Sequence, residues 1–255
     1  MSVLSGAEPF NHEGSEDIGV LLCHGLTSTP QSMRPWAEHL AAAGYSVRLP
    51  LLPGHGTRWQ DLNRTTWQDW YGAAEAAYED LKSRYREVYV CGLSMGGTLA
   101  LRLAQRHPDI AGLVVVNPSV LTLRRSAKLL PVLSKVVPSI AAIAGDIAKP
   151  GTEELAYDRL PLKAMASLQQ LWRVVHRHLG AIEQPLLLIR SAVDNVVEPA
   201  SSAAVLRGVR STDAHEIVLA DSHHVATLDY DAPQIFSSSV KFVQRVHRDR
   251  SEETV

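Results

Sequence analysis

The sequence has little that would mark a secreted or membrane-embedded protein. It holds only two cysteines in 255 residues, Cys23 and Cys91, which are too few for a disulfide framework. Both lie at the ends of apolar runs, which indicates small buried thiols. No apolar run approaches the roughly 20 residues of a membrane span, and the first residues lack the basic and apolar regions of a signal peptide. The sequence therefore predicts a cytoplasmic protein.

An excess of charge is also absent. Lysine and arginine number 25 against 27 acidic residues, so the net charge of -2 gives no reason to expect a nucleic-acid partner. No group of His, Cys and Asp has metal-ligand spacing, and no dinucleotide or phosphate-binding loop is present. We therefore expect no metal or cofactor and a small-molecule partner. The oligomeric state stays open.

What the sequence does contain is a series of short apolar runs rich in β-branched residues. Most are apolar at nearly every position, which is typical of parallel strands buried on both faces. Helical patterns alternate with them, one ending at Gly44 and another beginning with a capping box of Thr66 and Asp69. This alternation predicts an α/β fold, a mostly parallel sheet with helices on both faces. The runs are 18–23, 45–50, 87–92, 112–117, 185–190 and 215–220.

The alternation stops between residues 118 and 184, where no convincing strand is found. We predict a core formed by residues 1–117 and 185–255, with residues 118–184 inserted as a helical cap.

The start of this insertion is both apolar and basic, and it allows two interpretations. The apolar side chains can line a cavity or pack on the core, which we favour, or they can lie at a lipid interface. The two roles can coexist. The apolar set is Leu129, Leu130, Val132, Leu133, Val136, Val137 and Ile140, and the basic set is Arg124, Arg125, Lys128 and Lys135.

Residues 92–96 read Gly-Leu-Ser-Met-Gly, a G-x-S-x-G pattern between an apolar run and a helical segment. The pattern alone is weak, but this strand-to-helix context is typical of a nucleophile elbow. A turn this tight leaves no room for side chains beside the serine, so glycines must flank it. The sequence therefore predicts Ser94 as a nucleophile.

A reaction at Ser94 would need about two N–H donors for the oxyanion. One is expected from the backbone of Met95, after the nucleophile. The other is expected from the loop after the first buried run, and we assign it to the backbone N–H of Leu26. His24 precedes the serine, whereas a catalytic histidine follows it on such a fold, so we interpret His24 as structural.

The acid and the base should follow the last two strands in that order. Asp194 comes shortly after the run 185–190 and is our choice of acid, with Glu198 as the competitor. Two neighbouring histidines, His223 and His224, follow the last run. A shift of one residue in the loop exchanges them, so spacing does not decide which is the base. His215 lies inside the last run and is misplaced.

Several longer motifs carry a family resemblance. The segments HGLTSTP, LPGHG, GLSMGG, ELAYDRLP and DSHHVATLD together resemble the small bacterial monoacylglycerol lipases and related carboxylesterases of the α/β-hydrolase fold. The likeness covers nearly the whole chain, including the insertion, and implies that the first strands of the full fold are reduced or missing.

The resemblance implies specific roles. The catalytic histidine of these relatives directly precedes V-x-T-L-D, which selects His224 and makes His223 a bystander. An acidic cap residue that binds the glycerol head group falls on Glu154, although Glu154 and Glu153 could be an ordinary solvated pair. His55, in LPGHG, could touch the substrate or stabilise its loop.

The implied activity is that of a serine carboxylester hydrolase, foremost a monoacylglycerol lipase acting through Ser94, Asp194 and His224. A generalist carboxylesterase or a thioesterase would use the same three residues. A non-catalytic receptor on this fold could also keep them. Ester turnover and covalent labelling of Ser94 would separate the enzymes from the receptor.

Overall fold

The structure is a computed structural model that describes residues 2–14, 17–143 and 145–252. Nine strands occur in the described residues, numbered in chain order β1 (Phe10–His12), β2 (Ile18–Cys23), β3 (Ser46–Leu49), β4 (Glu87–Leu93), β5 (Gly112–Val116), β6 (Ser139–Ala141), β7 (Arg159–Pro161), β8 (Leu186–Ser191) and β9 (Ala214–Leu219). Seven of them form one sheet in the order β1-β3-β2-β4-β5-β8-β9. Every neighbouring pair in it is parallel except β1 and β3.

The six apolar runs of the sequence form the six parallel strands of this sheet. Strands β2, β4 and β5 are buried at every position, because helices cover both faces and no position along them meets water. The predicted α/β fold is confirmed. The first strand of the sheet, β1, has only three residues.

The helices divide the core into two layers, one on each face of the sheet. Helices α1 and α8 contribute Trp36 and Phe242 to one layer, and helices α3, α4 and α6 contribute Trp70, Leu99 and Leu171 to the other. The predicted capping box of α3 is present, and Gly44 has a φ of 94°, as a glycine after a helix requires. The helices are α1 (Arg34–Ala42), α2 (Trp59–Leu62), α3 (Trp67–Lys82), α4 (Met95–Arg106), α5 (Leu130–Leu133), α6 (Leu162–Arg177), α7 (Ala200–Gly208) and α8 (Ala232–Glu252).

The insertion, residues 118–184, is called the cap segment below. It contains α5 and α6, as the helical pattern predicts, but it also contains the antiparallel pair β6 and β7. The expectation of a segment without strands was wrong here. Each strand has only three residues and β7 ends at Pro161, so neither gives a period-two pattern long enough to recognise. The division into core and cap remains a prediction.

Two further observations bear on the chemistry. Within the described residues no helix is long and apolar enough to cross a membrane, and no cluster of His, Cys, Asp and Glu could hold a metal ion. Cys23 and Cys91 are both buried and free, and burial raises the pKa of each thiol. A thiol kept protonated in this way is a poor nucleophile.

Candidate active site

The turn at Ser94 has the geometry of a nucleophile elbow. Ser94 has φ 55° and ψ -117°, a conformation that a residue with a side chain adopts only when its surroundings impose it. A Cβ on Gly96 would lie 1.8 Å from the carbonyl oxygen of Cys23, and one on Gly92 would lie 2.3 Å from the Gly96 backbone. Both glycines are therefore required by close backbone contacts.

The elbow is held rigidly between β4 and α4. The Ser94 N–H donates to the Val116 carbonyl at 2.9 Å, and the Ser94 carbonyl accepts from the Thr98 N–H at 3.1 Å. Ser94 is also the N-cap of α4, so negative charge beside it is favoured by the positive end of the helix dipole.

Asp194 and His224 lie together although 30 residues separate them. The Nδ1 of His224 is 2.8 Å from Oδ2 of Asp194, and both side chains are more than nine-tenths buried. The other oxygen of Asp194 accepts from the backbone N–H groups of Val196 and Val197, at 2.8 and 2.7 Å. These bonds orient the carboxylate, and the carboxylate in turn fixes the orientation of the histidine ring.

The competing residues lie elsewhere. Glu198 accepts from the Thr122 hydroxyl at 2.9 Å and from the Leu123 N–H, not from His224. His215 lies on β9 beside Asp213. His223 turns its Nδ1 toward Asp146, at 3.3 Å.

Ser94 and His224 both line a cavity of about 340 Å³. This volume lies within the range of small-molecule sites. Leu26 also lines it, which places the assigned oxyanion loop beside the serine. A Cβ built on the neighbouring Gly25 would lie 3.7 Å from the Cβ of Ser94. Met95 does not line the cavity with its buried side chain, but its assigned role concerns only its backbone N–H.

Apolar side chains of the cap segment form much of the cavity wall. Six of the seven residues of the predicted apolar set fall into two groups. Leu130, Leu133 and Ile140 line the cavity, whereas Leu129, Val132 and Val136 are 67 to 78% exposed. The seventh, Val137, is half-buried. The other apolar cap residues of the wall are Leu121, Ala127, Ala142, Ile143, Leu160, Leu162, Met165, Leu168 and Trp172.

His24 holds the loop that carries the assigned oxyanion donor. Its Nδ1 donates to the Gly25 carbonyl at 3.0 Å, and its Nε2 accepts from the Leu52 N–H at 3.2 Å. Burial lowers the pKa of His24 to about 4, although the Gly25 bond opposes this, so the ring is neutral at pH 7. The arrangement agrees with a structural role for His24.

His55 does not take the substrate-binding position suggested for it. It is 1% exposed, its Nδ1 contacts the carbonyls of Leu52 and Pro53, and it is not part of the cavity wall. Burial, together with the neighbouring His24, holds its pKa well below the usual value. The loop glycines carry positive φ, and His55 stabilises this loop from within rather than facing the cavity.

Glu154 lines the cavity and accepts from the Gly145 N–H at 3.2 Å. Its neighbour Glu153 is exposed and uses its carbonyl to accept from Gln31. The cavity position distinguishes Glu154 from Glu153, and the head-group role that the resemblance implies for Glu154 stays a prediction.

Two polar residues at the site were not identified from the sequence. Asn117, after β5, donates to the His224 carbonyl at 2.9 Å and accepts from the Ser191 N–H at 2.8 Å. Asp146, from the cap segment, contacts the loops of both Asp194 and His224. Asn117 follows a parallel strand at the edge where the site lies, a position that could have signalled a role. Asp146 has no comparable signal.

Comparisons with known proteins agree with this geometry. Residues 15–231 match the family described as serine aminopeptidase, S33. The chain belongs to this family of serine hydrolases. It is 43% identical over 240 residues to a thermostable monoacylglycerol lipase of Bacillus sp. (strain H-257), covering 94% of this chain and 95% of that protein. It is 27% identical over 241 residues to a carboxylesterase of Bacillus subtilis (strain 168), covering 94% and 97%.

Two solved structures have the same fold as this chain. A chain from the structural study of LipS and LipT, two metagenome-derived lipolytic enzymes, superposes with a TM-score of 0.93 at 36% identity, over 96% of this chain and all of that one. The monoacylglycerol lipase of Paleococcus ferrophilus superposes with a TM-score of 0.80 at 20% identity, over 96% and 100%. The expected membership of the α/β-hydrolase superfamily, among lipases and esterases, is confirmed.

Proposed function

We propose that the protein is a monoacylglycerol lipase, a serine carboxylester hydrolase that releases fatty acid and glycerol through an acyl-enzyme on Ser94. The observation that carries this is the buried Asp194–His224 pair, at 2.8 Å, whose histidine lines the same apolar cavity as the elbow serine. The 43% identity to a monoacylglycerol lipase over nearly the whole chain supports the substrate class.

The reaction follows from these positions. His224 Nε2 takes the proton of the Ser94 hydroxyl as its oxygen attacks the ester carbonyl. The backbone N–H groups of Leu26 and Met95 stabilise the oxyanion. The imidazolium returns the proton to the departing glycerol oxygen. Water, deprotonated by His224, then attacks the acyl-enzyme, and the fatty acid leaves as Ser94 regains its proton.

The cavity supports a substrate with an apolar chain and a small polar head. Its wall is formed mainly by apolar side chains, which suit an acyl chain. Glu154 brings a carboxylate to this wall and can accept hydrogen bonds from glycerol hydroxyls. We therefore propose Glu154 as the head-group ligand.

A comparison of monoacylglycerols with methyl esters of the same acyl chains tests the proposal. We expect the wild type to prefer the glycerol esters at every chain length. In Glu154→Gln the preference should fall about tenfold, since a lost hydrogen bond to a charged group costs about 1.5 kcal/mol or more. Only the rates on glycerol esters should fall, and those on methyl esters should stay the same. Glu153→Gln is the matched control and should keep the preference.

Three results would contradict the proposal. Equal rates on glycerol and methyl esters would indicate a generalist carboxylesterase. Faster turnover of acyl thioesters would indicate a thioesterase. No turnover of any ester, without labelling of Ser94 by a fluorophosphonate, would indicate a non-catalytic receptor.

We also propose that the cap segment contacts an anionic lipid surface during turnover. A groove of about 420 Å³ lies beside the catalytic cavity, between residues 120–128 and α6. Arg125, Lys128, Arg173 and Arg177 line it, and no carboxylate of the described residues does. The exposed Leu129, Val132 and Val136 are on the same segment. Cations beside exposed apolar side chains match the surface of an anionic bilayer.

Vesicle co-sedimentation tests this contact. We expect binding to phosphatidylcholine vesicles containing phosphatidylglycerol, weakening with salt, and at least tenfold weaker in Arg125→Glu/Lys128→Glu, because each basic residue contributes about 1 kcal/mol. Lys241→Glu/Arg248→Glu, on α8, is the matched control. Equal binding of both double variants, or no preference for anionic vesicles, would contradict the proposal.

The cytoplasm is the proposed location. The two free, buried cysteines are compatible with a reducing compartment. Cell fractionation followed by ester turnover would test it, and activity confined to the medium or to washed membranes would contradict it.

A further inference from the structure

A second buried carboxylate lies beside the Asp194–His224 pair, and it comes from the cap segment. The side chain of Asp146 is 8% exposed. Its Oδ2 accepts from the backbone N–H of His224 at 3.2 Å and from that of Asn195 at 3.1 Å. Its Oδ1 accepts from the Asn195 side chain at 2.7 Å. Since Asn195 directly follows Asp194, one carboxylate joins the loop of the acid to the loop of the base.

The contact extends along the chain after Asp146. The Asp146 carbonyl accepts from the Val225 N–H at 3.0 Å. Two residues later, the N–H groups of Ala148 and Lys149 donate to Asp229 at 2.7 and 2.9 Å. Residues 145–149, called the latch below, are therefore bonded to the histidine loop at several points.

Asp229, which belongs to the histidine loop, binds both the latch and the backbone of His223. It is 3% exposed, and its Oδ2 also accepts from the backbone N–H of His223 at 2.8 Å. The backbone N–H groups of His223 and His224 are thus held by two carboxylates, that of Asp229 from the loop itself and that of Asp146 from the cap segment. The HHVATLD segment owes its shape partly to the latch.

Asp146 is suited to this role because it is charged. Burial alone would raise its pKa, but the hydrogen bonds from Asn195 and His224, with the nearby His223, outweigh burial and lower it. A buried carboxylate is stable only where such donors meet it. The two loops must therefore stay in place for Asp146 to stay buried, and Asp146 in turn holds them.

We propose that Asp146 is a positioning residue, which holds the His224 loop and the Asp194 loop at the separation that the triad needs. The proposal rests on the proposed function, in which His224 is the base. It makes the latch, a short part of the cap segment, part of the catalytic machinery. A displacement of about 1 Å in such a group can cost on the order of 100-fold in rate.

The latch also adjoins the proposed head-group ligand. Gly145, which precedes Asp146, donates its N–H to Glu154 at 3.2 Å. A hydrogen-bonded route thus runs from the residue proposed to contact glycerol to the loops of Asp194 and His224. Binding of the head group and alignment of the base are linked through two adjacent residues.

Kinetics on a short ester that is too small to need the cap test the proposal. With p-nitrophenyl acetate, we expect Asp146→Ala to lower kcat 10- to 100-fold and to leave KM within about twofold. Asp146→Asn keeps the shape of the side chain and one acceptor oxygen. Its kcat should therefore lie between those of the wild type and Asp146→Ala. Asn195→Ala removes one donor and should lower kcat a few-fold, which keeps the test available if Asp146→Ala does not fold.

Arg159→Ala is the matched control. Arg159 donates to the Ser139 hydroxyl and joins β6 to β7 within the cap segment, so its loss loosens the cap away from the triad loops. Its kcat should match the wild type. An equal fall in Arg159→Ala and Asp146→Ala, or an Asp146→Ala kcat within twofold of wild type, would overturn the proposal.

A spectroscopic measurement separates this proposal from the proposed function. The proton shared by His224 and Asp194 should give a far-downfield NMR signal in the wild type, assigned by its loss in His224→Ala. We expect the signal to vanish or broaden in Asp146→Asn and to persist in Arg159→Ala. Because no substrate is involved, persistence in Asp146→Asn would overturn the positioning role even if the protein hydrolyses no ester.

Discussion

The Nδ1 of His224 lies 2.8 Å from Asp194, whereas the adjacent His223 turns its Nδ1 toward Asp146 at 3.3 Å. Two neighbouring histidines thus face two different carboxylates. The side chain of His224 is 8% exposed and that of His223 is 33% exposed. This difference gives the two residues separate roles.

Replacement of each histidine by alanine should have unequal effects. We expect His224→Ala to lower kcat on p-nitrophenyl butyrate by at least 1,000-fold. Removal of the general base from a catalytic triad typically lowers kcat by a factor of about 10³ or more. His223→Ala should keep at least a third of the wild-type kcat. Steady-state kinetics measure both, and a larger loss in His223→Ala would reverse the assignment.

The elbow glycine provides a test of the turn itself. Gly96→Ala would place a Cβ 1.8 Å from the Cys23 carbonyl, so α4 and β2 must move apart. We expect a loss of about 1–3 kcal/mol in the free energy of unfolding, as for overpacked sites, and a fall in kcat of at least tenfold. Urea unfolding and ester kinetics measure the two effects.

Gly72→Ala is the control for that substitution. Gly72 lies inside α3, and a Cβ there would meet no atom within 4 Å. The free energy of unfolding should rise by about 0.5–1 kcal/mol, because glycine inside a helix is less stable than alanine by this amount. The kcat should not change. Similar kcat values for the two variants would mean that the elbow tolerates a side chain.

The buried His24 predicts how stability depends on pH. Its folded-state pKa, lowered by burial to about 4, lies below the ordinary histidine value of 6.5. Between these values the unfolded chain binds a proton that the folded protein does not, so stability is present above about pH 6.5 and is lost as the pH falls toward 4. The contribution of this one group is about 3 kcal/mol at most.

Urea unfolding at pH 7.5 and pH 5.0 measures this loss. His24→Asn removes the titrating ring, so its free energy of unfolding should fall less between the two pH values than that of the wild type. His178→Asn, at an exposed position, is the control and should fall as the wild type does. If the free energy of unfolding of His24→Asn falls between the two pH values by as much as that of the wild type, His24 is not a neutral buried ring.

The positions of the strands and of the main site residues could be predicted because local patterns encode them. Continuous apolar runs mark strands buried on both faces, and Gly92 and Gly96 are needed by a turn that no other residue fits. The order of Ser94, Asp194 and His224 follows from the topology of the sheet. Spacing did not separate His223 from His224, since that choice depends on one residue of loop geometry.

The contributions of the cap segment could not be predicted in the same way. Asp146 acts through contacts with residues 49 and 78 positions away along the chain, and no local periodicity reports such contacts. Strands β6 and β7 are too short to leave a pattern. His55 was assigned by its position on a loop, but the direction of its side chain depends on packing against His24 and Trp70.

Trapping of the acyl-enzyme tests the central claim most directly. Intact-protein and peptide mass spectrometry after rapid mixing with a monoacylglycerol should show one acyl group on Ser94, absent in Ser94→Ala, with glycerol released in the same burst. Hydrolysis of the monoacylglycerol by Ser94→Ala at a rate near the wild type, or an acyl group on another residue, would contradict the account.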